Sequence, residues 1–221
     1  MKNYIVNTEL INTPTLITLL KLQEYGDYQN TLKKSEFQLL PPFFAGLVWH
    51  PEKGIPVYRN LSKMTLAIAK ETLQRKMQFL KSLYDVKARL NLGTDTQQPF
   101  VVPGASYMSE IKLFHDSGIP MEEVLAYATW RAAEQLPGAN FGKIAPGLQA
   151  DLLIFKKDPT QSIQALETLQ AVVIRGKLYE KAELDNAIRK MKQHYNSWPL
   201  KPISFFFAER AMQKIVKNFT H

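Results

Sequence analysis

Along residues 86–92 apolar and polar side chains alternate, with Val86, Ala88, Leu90 and Leu92 set against Lys87, Arg89 and Asn91. This period of two predicts a strand. Gly93-Thr94-Asp95 follows at once, so the backbone turns and presents a carboxylate at the strand's C-terminal end. That end carries the catalytic groups of parallel α/β sheets and barrels, which makes Asp95 the candidate functional residue. Read alone, Gly-Thr-Asp is also a turn whose Asp caps the next segment. Upstream, residues 10–20 form an apolar, β-branched run interrupted by Pro14, the pattern of a strand entering a loop. Residues 24–60 are punctuated by Gly26, Pro41-Pro42, Gly46, Pro51, Gly54 and Pro56, which predicts a long irregular lid or insertion. From 61 to 84, Leu61, Met64, Ile68, Met77, Leu80 and Tyr84 recur near helical spacing and predict a long helix. Strand, long connection, helix, strand is the order of a parallel crossover.

Beyond Asp95 lies a loop with Pro99, Pro103 and Gly104, then a helix with Ser106 as its N-cap, carrying Tyr107, Ile111 and Phe114 and ending at Gly118. Pro120 suits the first turn of the next helix, with Glu122 and Glu123 at its positive end and Val124, Ala128, Ala132 and Leu136 inward. From Phe141 the texture changes to short strands and tight turns. Ala150-Asp151-Leu152-Leu153-Ile154-Phe155 reads as a buried strand opened by Asp151, whose carboxylate should accept from backbone amides in the turn. Ala171-Val172-Val173-Ile174, Arg175-Gly176 and Lys177-Leu178-Tyr179 read as a β-hairpin. The tail carries a helix through Leu184, Ile188 and Met191, a break at Pro199 and Pro202, and a second helix with Phe205, Ala208, Met212, Ile215, Val216 and Phe219 at helical spacing. Its Arg210, Lys214 and Lys217 fall on the other side. The pattern fits a helix packed on its own protein, with a helix lying on a membrane as the alternative.

Composition narrows the function classes. At 45% apolar over 221 residues the chain is that of a folded protein, and no apolar run is long enough for a membrane span or a signal peptide, so a cytoplasmic location is expected. With no cysteine, a metal would be held by His, Asp or Glu. The net charge of +8 raises the question of polyanion binding. The basic clusters are short (Lys33-Lys34, Arg75-Lys76, Arg189-Lys190-Met191-Lys192) and the rest of the charge reads as solvated helix faces, so neither a nucleic-acid partner nor membrane contact is expected. His50, in a loop, and His115, late in a helix, read as structural residues.

Taken together, Leu92-Gly93-Thr94-Asp95, the run Tyr127-Ala128-Thr129-Trp130-Arg131-Ala132-Ala133 and the eleven residues from Gly142 to Leu152 (Gly-x-Ile-x-Pro-Gly-x-x-Ala-Asp-Leu) resemble the C-terminal half of metal-dependent amidohydrolases, in the imidazolonepropionase-like branch. The resemblance covers residues 86–185 and, more loosely, Thr13-Pro14-Thr15-Leu16. It implies an α/β fold: an incomplete (β/α)8 barrel (the last strands and helices) over residues 1–140, the C-terminal part of a flanking β-sandwich over 141–184, and a helical tail over 185–221. Residues 10–16 would be the seventh barrel strand and 86–92 the eighth. Asp95 then matches the aspartate that binds a divalent metal, zinc foremost, and shuttles the proton of its bound water. Such a metal supplies hydroxide near neutral pH and polarises a carbonyl, while the carboxylate returns the proton to the leaving nitrogen. The implied substrate is a small amide or cyclic amide.

The family's His-x-His pair is absent, and the four histidines His50, His115, His194 and His221 do not reproduce its spacing. A closed barrel also needs about 250 residues and eight strands. The chain is therefore expected to be a truncated C-terminal half that binds no metal tightly alone and needs the missing N-terminal half, or a second copy, to cover its strand edges. The competing reading is a non-catalytic remnant or interaction module, touching membranes through its basic C-terminal helix.

Overall fold

A computed structural model describes residues 10–96 and 98–219, with the side chains of Val216, Asn218 and Phe219 left aside. The expectations that fall on those side chains and on His221 lie outside the described residues. In chain order, α1 (Leu16–Leu22), α2 (Tyr28–Thr31), α3 (Lys63–Asp85), α4 (Ala105–Asp116), α5 (Met121–Ala128) and α6 (Trp130–Ala133) precede β1 (Leu152–Phe155), β2 (Leu169–Ile174) and β3 (Lys177–Glu180); α7 (Lys181–Asn196) and α8 (Leu200–Phe219) follow. Short 3-10 turns at Gln23–Asp27, Ser35–Leu39 and Pro56–Tyr58, and a π turn at Phe44–Val48, build the irregular stretch. The chain divides into two compact units, one from Gln74–Thr94, Tyr107–Asp185 and the residues up to Leu16, the other from Ile17–Leu73, Asp95–Ser106 and the residues from Asn186.

In the first unit the two predicted strands meet in parallel. The Asn12 amide donates to the Arg89 carbonyl and the Asn91 amide to the Asn12 carbonyl, both at 2.9 Å, around a bridge of Asn12 with Leu90. Pairing stops there because residues 86–88 are spent on ending α3. Lys87 is left-handed (φ 56°), its amide donates to the Tyr84 carbonyl, and the Ala88 amide donates to that of Leu83, a Schellman cap. The alternation survives in burial, with Ala88 and Leu90 inside and Lys87 and Arg89 outside. The other expected strand, 10–20, is corrected. Pro14 ends it, Thr15 turns with φ 47°, and the leucine-rich Leu16–Leu22 becomes helix α1. Its first amide, on Leu16, donates at 2.9 Å to Oε1 of Glu110, a carboxylate fully buried in α4.

The helices follow prediction with local corrections. In α3 the buried stripe is Ala69, Leu73, Leu80 and Leu83, while Met64 and Ile68 face solvent. Ser106 lies inside α4 rather than at its N-cap, its hydroxyl accepting from the Val102 amide at 2.8 Å. Gly118, at φ 90°, follows the end of α4 as expected. The helix expected through Leu136 breaks at Thr129 (φ −132°, ψ −100°), whose hydroxyl donates to the Leu125 carbonyl at 2.7 Å, and Leu136 is exposed.

The β module is an antiparallel sheet in the order β1-β2-β3. Its β2–β3 turn is Arg175-Gly176, both left-handed (φ 50° and 78°), the primed geometry that matches strand twist. Asp151 Oδ1 accepts from the Arg175 amide at 2.6 Å, the turn role expected of it. The strand it opens is not buried, since Leu153 and Ile154 are exposed and, among the described residues, β1 pairs with β2 alone.

The second unit closes on aromatic rings. Phe100 is fully buried with Tyr25, Trp49 and Phe37 at 4.8, 5.5 and 5.7 Å between ring centres. Helix α8 joins this unit through Phe205, whose ring lies 3.4 Å from where a Cβ on Gly46 would sit.

Candidate functional site

Asp95 follows a turn that needs its glycine: a Cβ on Gly93 would stand 2.6 Å from the Thr13 methyl, inside any tolerated contact. Asp95 itself is left-handed (φ 49°) and exposed, and its carbonyl accepts from the Gln98 amide at 3.2 Å. The adjacent groups are Tyr58 and Gln98. The Tyr58 hydroxyl donates to Gln98 Oε1 at 2.7 Å, and burial, followed by the negative charge of Asp95, raises its pKa above the ordinary phenol value. Sequence reasoning missed Tyr58, which sits on the short Pro56–Tyr58 turn and carries no local signal of its distant partner.

The histidines are engaged structurally. The ring of His50 lies edge-on to Tyr28 at 5.3 Å, and its Nδ1 accepts from the amides of Glu52 (3.1 Å) and Lys53 (3.3 Å). His115, in the last turn of α4, contacts the Ile119 carbonyl at 3.0 Å. Among the described residues no group of three His, Asp or Glu side chains could hold a metal ion. One exposed carboxylate does not make a divalent centre, so the donors present do not fit the metal that the resemblance implies.

A second feature flanks Leu90. Parallel pairing with Asn12 uses the carbonyl of Arg89 and the amide of Asn91, which turns the peptide groups of Leu90 to the opposite edge. There the Leu90 carbonyl receives only a long contact from Gln135 Nε2 (3.4 Å), and its amide has no partner among the described residues. The buried oxygens Gln135 Oε1 and Asn91 Oδ1 are also unpartnered. A cavity of about 700 Å³ lies along this edge, walled by Tyr84, Glu123, Tyr127, Trp130 and Arg131. Arg131 holds Glu123 through two bonds (2.7 and 3.0 Å) and lies over the rings of Tyr127 (4.7 Å) and Trp130 (5.0 Å).

The amidohydrolase family model matches residues 47–179, more than half of the chain. Among solved structures, a bottromycin amidohydrolase superposes with a TM-score of 0.67 at 21% identity, over 84% of this chain and 40% of that one. A Xaa-Pro dipeptidase with bound methionine in its active site gives 0.54 at 19% identity, over 81% and 36%. The chain thus spans two fifths or less of the length of these two structures, and the likeness is one of α/β fold. Comparison with curated proteins finds no match.

Proposed function

Because the chain belongs to the amidohydrolase family, we propose that it is the C-terminal part of a metal-dependent hydrolase of carbon–nitrogen bonds, of the imidazolonepropionase-like branch, acting on a small amide or cyclic amide. Its segment up to residue 140 supplies the last strands and helices of a (β/α)8 barrel, residues 141–184 part of a flanking sandwich, and the remainder a helical tail. Asp95 contributes a carboxylate to the metal centre, and the other donors come from the rest of the barrel. The observation that carries the reading is the parallel Asn12–Leu90 pairing, which sets the two predicted barrel strands side by side shortly before the Gly-Thr-Asp turn. The open edge at Leu90 supports the incomplete barrel, because a parallel strand laid there would satisfy the Leu90 amide and carbonyl together. Short coverage of the solved relatives supports it too.

The test begins with the coding DNA upstream of Met1. The reading expects a His-x-His strand and further barrel strands there. The joined product should take up zinc by elemental analysis and hydrolyse members of an amide panel, and Asp95→Asn should abolish hydrolysis without moving the melting temperature. Hydrolysis at an equal rate with Asn at 95 sinks the role of Asp95; an upstream region with no barrel-like sequence sinks the split-barrel reading.

A further inference from the structure

The family match ends at residue 179, and the net positive charge of the chain is concentrated after Asp185. Residues 186–219 hold seven Lys and Arg against the single acid Glu209, a net +6 of the chain's +8, which leaves +2 for everything else. The charge is therefore not a general property of solvated helix faces but is concentrated in the tail. Helix α8 also has two apolar faces. One packs inward through Phe205 and the buried Met212. On the other, the spacing 203, 206, 207, 210, 214, 217 sets Ile203, Phe206 and Phe207 beside Arg210, Lys214 and Lys217. These three apolar residues are 47%, 52% and 63% exposed, the three cations are exposed with them, and the Arg210 guanidinium lies 4.8 Å over the Phe206 ring. Trp198, in the turn before the helix, is 86% exposed.

We propose that this outer face of α8 docks on an anionic lipid surface. An aromatic and aliphatic stripe flanked by cations is what an interfacial helix presents, with rings entering the headgroup boundary and Lys and Arg pairing with lipid phosphates and carboxylates. The inward face already holds α8 on its own unit, so the helix is folded before it meets the surface. No helix among the described residues is long and apolar enough to cross a membrane, so α8 lies on the surface rather than through it. Trp198 sits at one end of the stripe, where an indole belongs at the lipid–water boundary. A nucleic-acid site would instead combine its cations with a groove and a stacking platform, and these rings stand on one helix face. The inference is independent of Asp95 and of the barrel.

The experiment is co-sedimentation of the full chain with phosphatidylcholine vesicles, with and without phosphatidylserine, read alongside a thermal melt of each variant. The chain should bind serine-containing vesicles at least about tenfold more tightly than neutral ones, and added salt should weaken it. Replacing Arg210, Lys214 and Lys217 together by Gln should weaken binding about a hundredfold, since each basic residue near such a surface contributes about fivefold. Phe206→Ser with Phe207→Ser should weaken it about tenfold or more through lost apolar burial, with the melt unchanged. Absence of vesicle binding at low salt overturns the proposal. So does vesicle binding that the double serine variant leaves intact while heparin or RNA binds equally well, which would mark the tail as a general polyanion site.

Discussion

Glu110 is the residue whose loss the fold should feel most sharply. Its side chain is fully buried, and Oε1 accepts the Leu16 amide at 2.9 Å across 94 residues of sequence. Glu110→Ala removes the acceptor and leaves a buried peptide N–H unpaired. A hydrogen bond contributes about 0.5–1.5 kcal/mol net, and an orphaned buried donor costs about 1–3 kcal/mol, so a loss of about 3 kcal/mol is expected. Glu110→Gln keeps an oxygen in place and should cost about 1 kcal/mol or less. For a chain of this size 1 kcal/mol moves the thermal midpoint by about 2–4 °C, so alanine should lower it by about 6–12 °C and glutamine by about 4 °C at most. Hydrogen exchange adds a local reading: the Leu16 amide should lose protection in the alanine variant and retain most of it in the glutamine variant. An alanine variant that melts within about 2 °C of the parent, or a glutamine variant as damaged as alanine, would refute the assignment of Glu110 as the anchor of α1.

The other predictions are local. Gly93→Ala should destabilise by about 1–3 kcal/mol through the clash with the Thr13 methyl, and Thr13→Ser, which deletes that methyl, should restore most of the loss in a double-mutant melt. Burial alone would raise the pKa of Glu24, but its bonds to Lys34 and Thr31 and the charge of Lys21 outweigh that and hold it below the ordinary value of 4.5. A depressed carboxylate stabilises the fold above its unfolded pKa and ceases to do so as pH falls through the folded one, so Glu24→Gln should flatten the acid limb of a stability-against-pH curve below 4.5. Arg131→Lys, which gives up the two-pronged bond to Glu123 and the stacking on Tyr127 and Trp130, should cost about 1 kcal/mol in a urea melt. Asp151→Ala should cost about 1 kcal/mol by freeing the Arg175 amide of the hairpin turn.

What could be read from the sequence is what local chemistry decides. The Arg175-Gly176 turn, the ending of α4 before Gly118 and the inside–outside order of residues 86–90 each depend on neighbours a few positions away, and each appears in the structure. The errors lie where distant contacts override that chemistry. Leu16–Leu22 looks like strand because Ile17 and Thr18 favour one, yet a buried carboxylate 94 residues away takes its first amide and the segment closes as helix. The break at Thr129 carries neither glycine nor proline to announce it, and in α3 the buried stripe departs from the periodic apolar positions at Met64 and Ile68.

Around Asp95 the same division decides how much chemistry was visible. The glycine turn and its carboxylate are local and could be named from six residues. Tyr58 and Gln98 could not, because the 3-10 turn that carries Tyr58 packs on the aromatic cluster of Tyr25, Trp49 and Phe100, with the Tyr58 ring stacked 6.3 Å from that of Tyr25, and these rings come from segments that have no common period. An aromatic core of this kind leaves no repeating pattern in the sequence, since each ring is set by packing rather than by position along a helix or strand. A strand with too few partners was the expectation, and among the described residues the Leu90 amide has none. The location of that edge was not legible, because it depends on which side Asn12 pairs, and that one bridge assigns the Leu90 amide and carbonyl to the side facing Gln135.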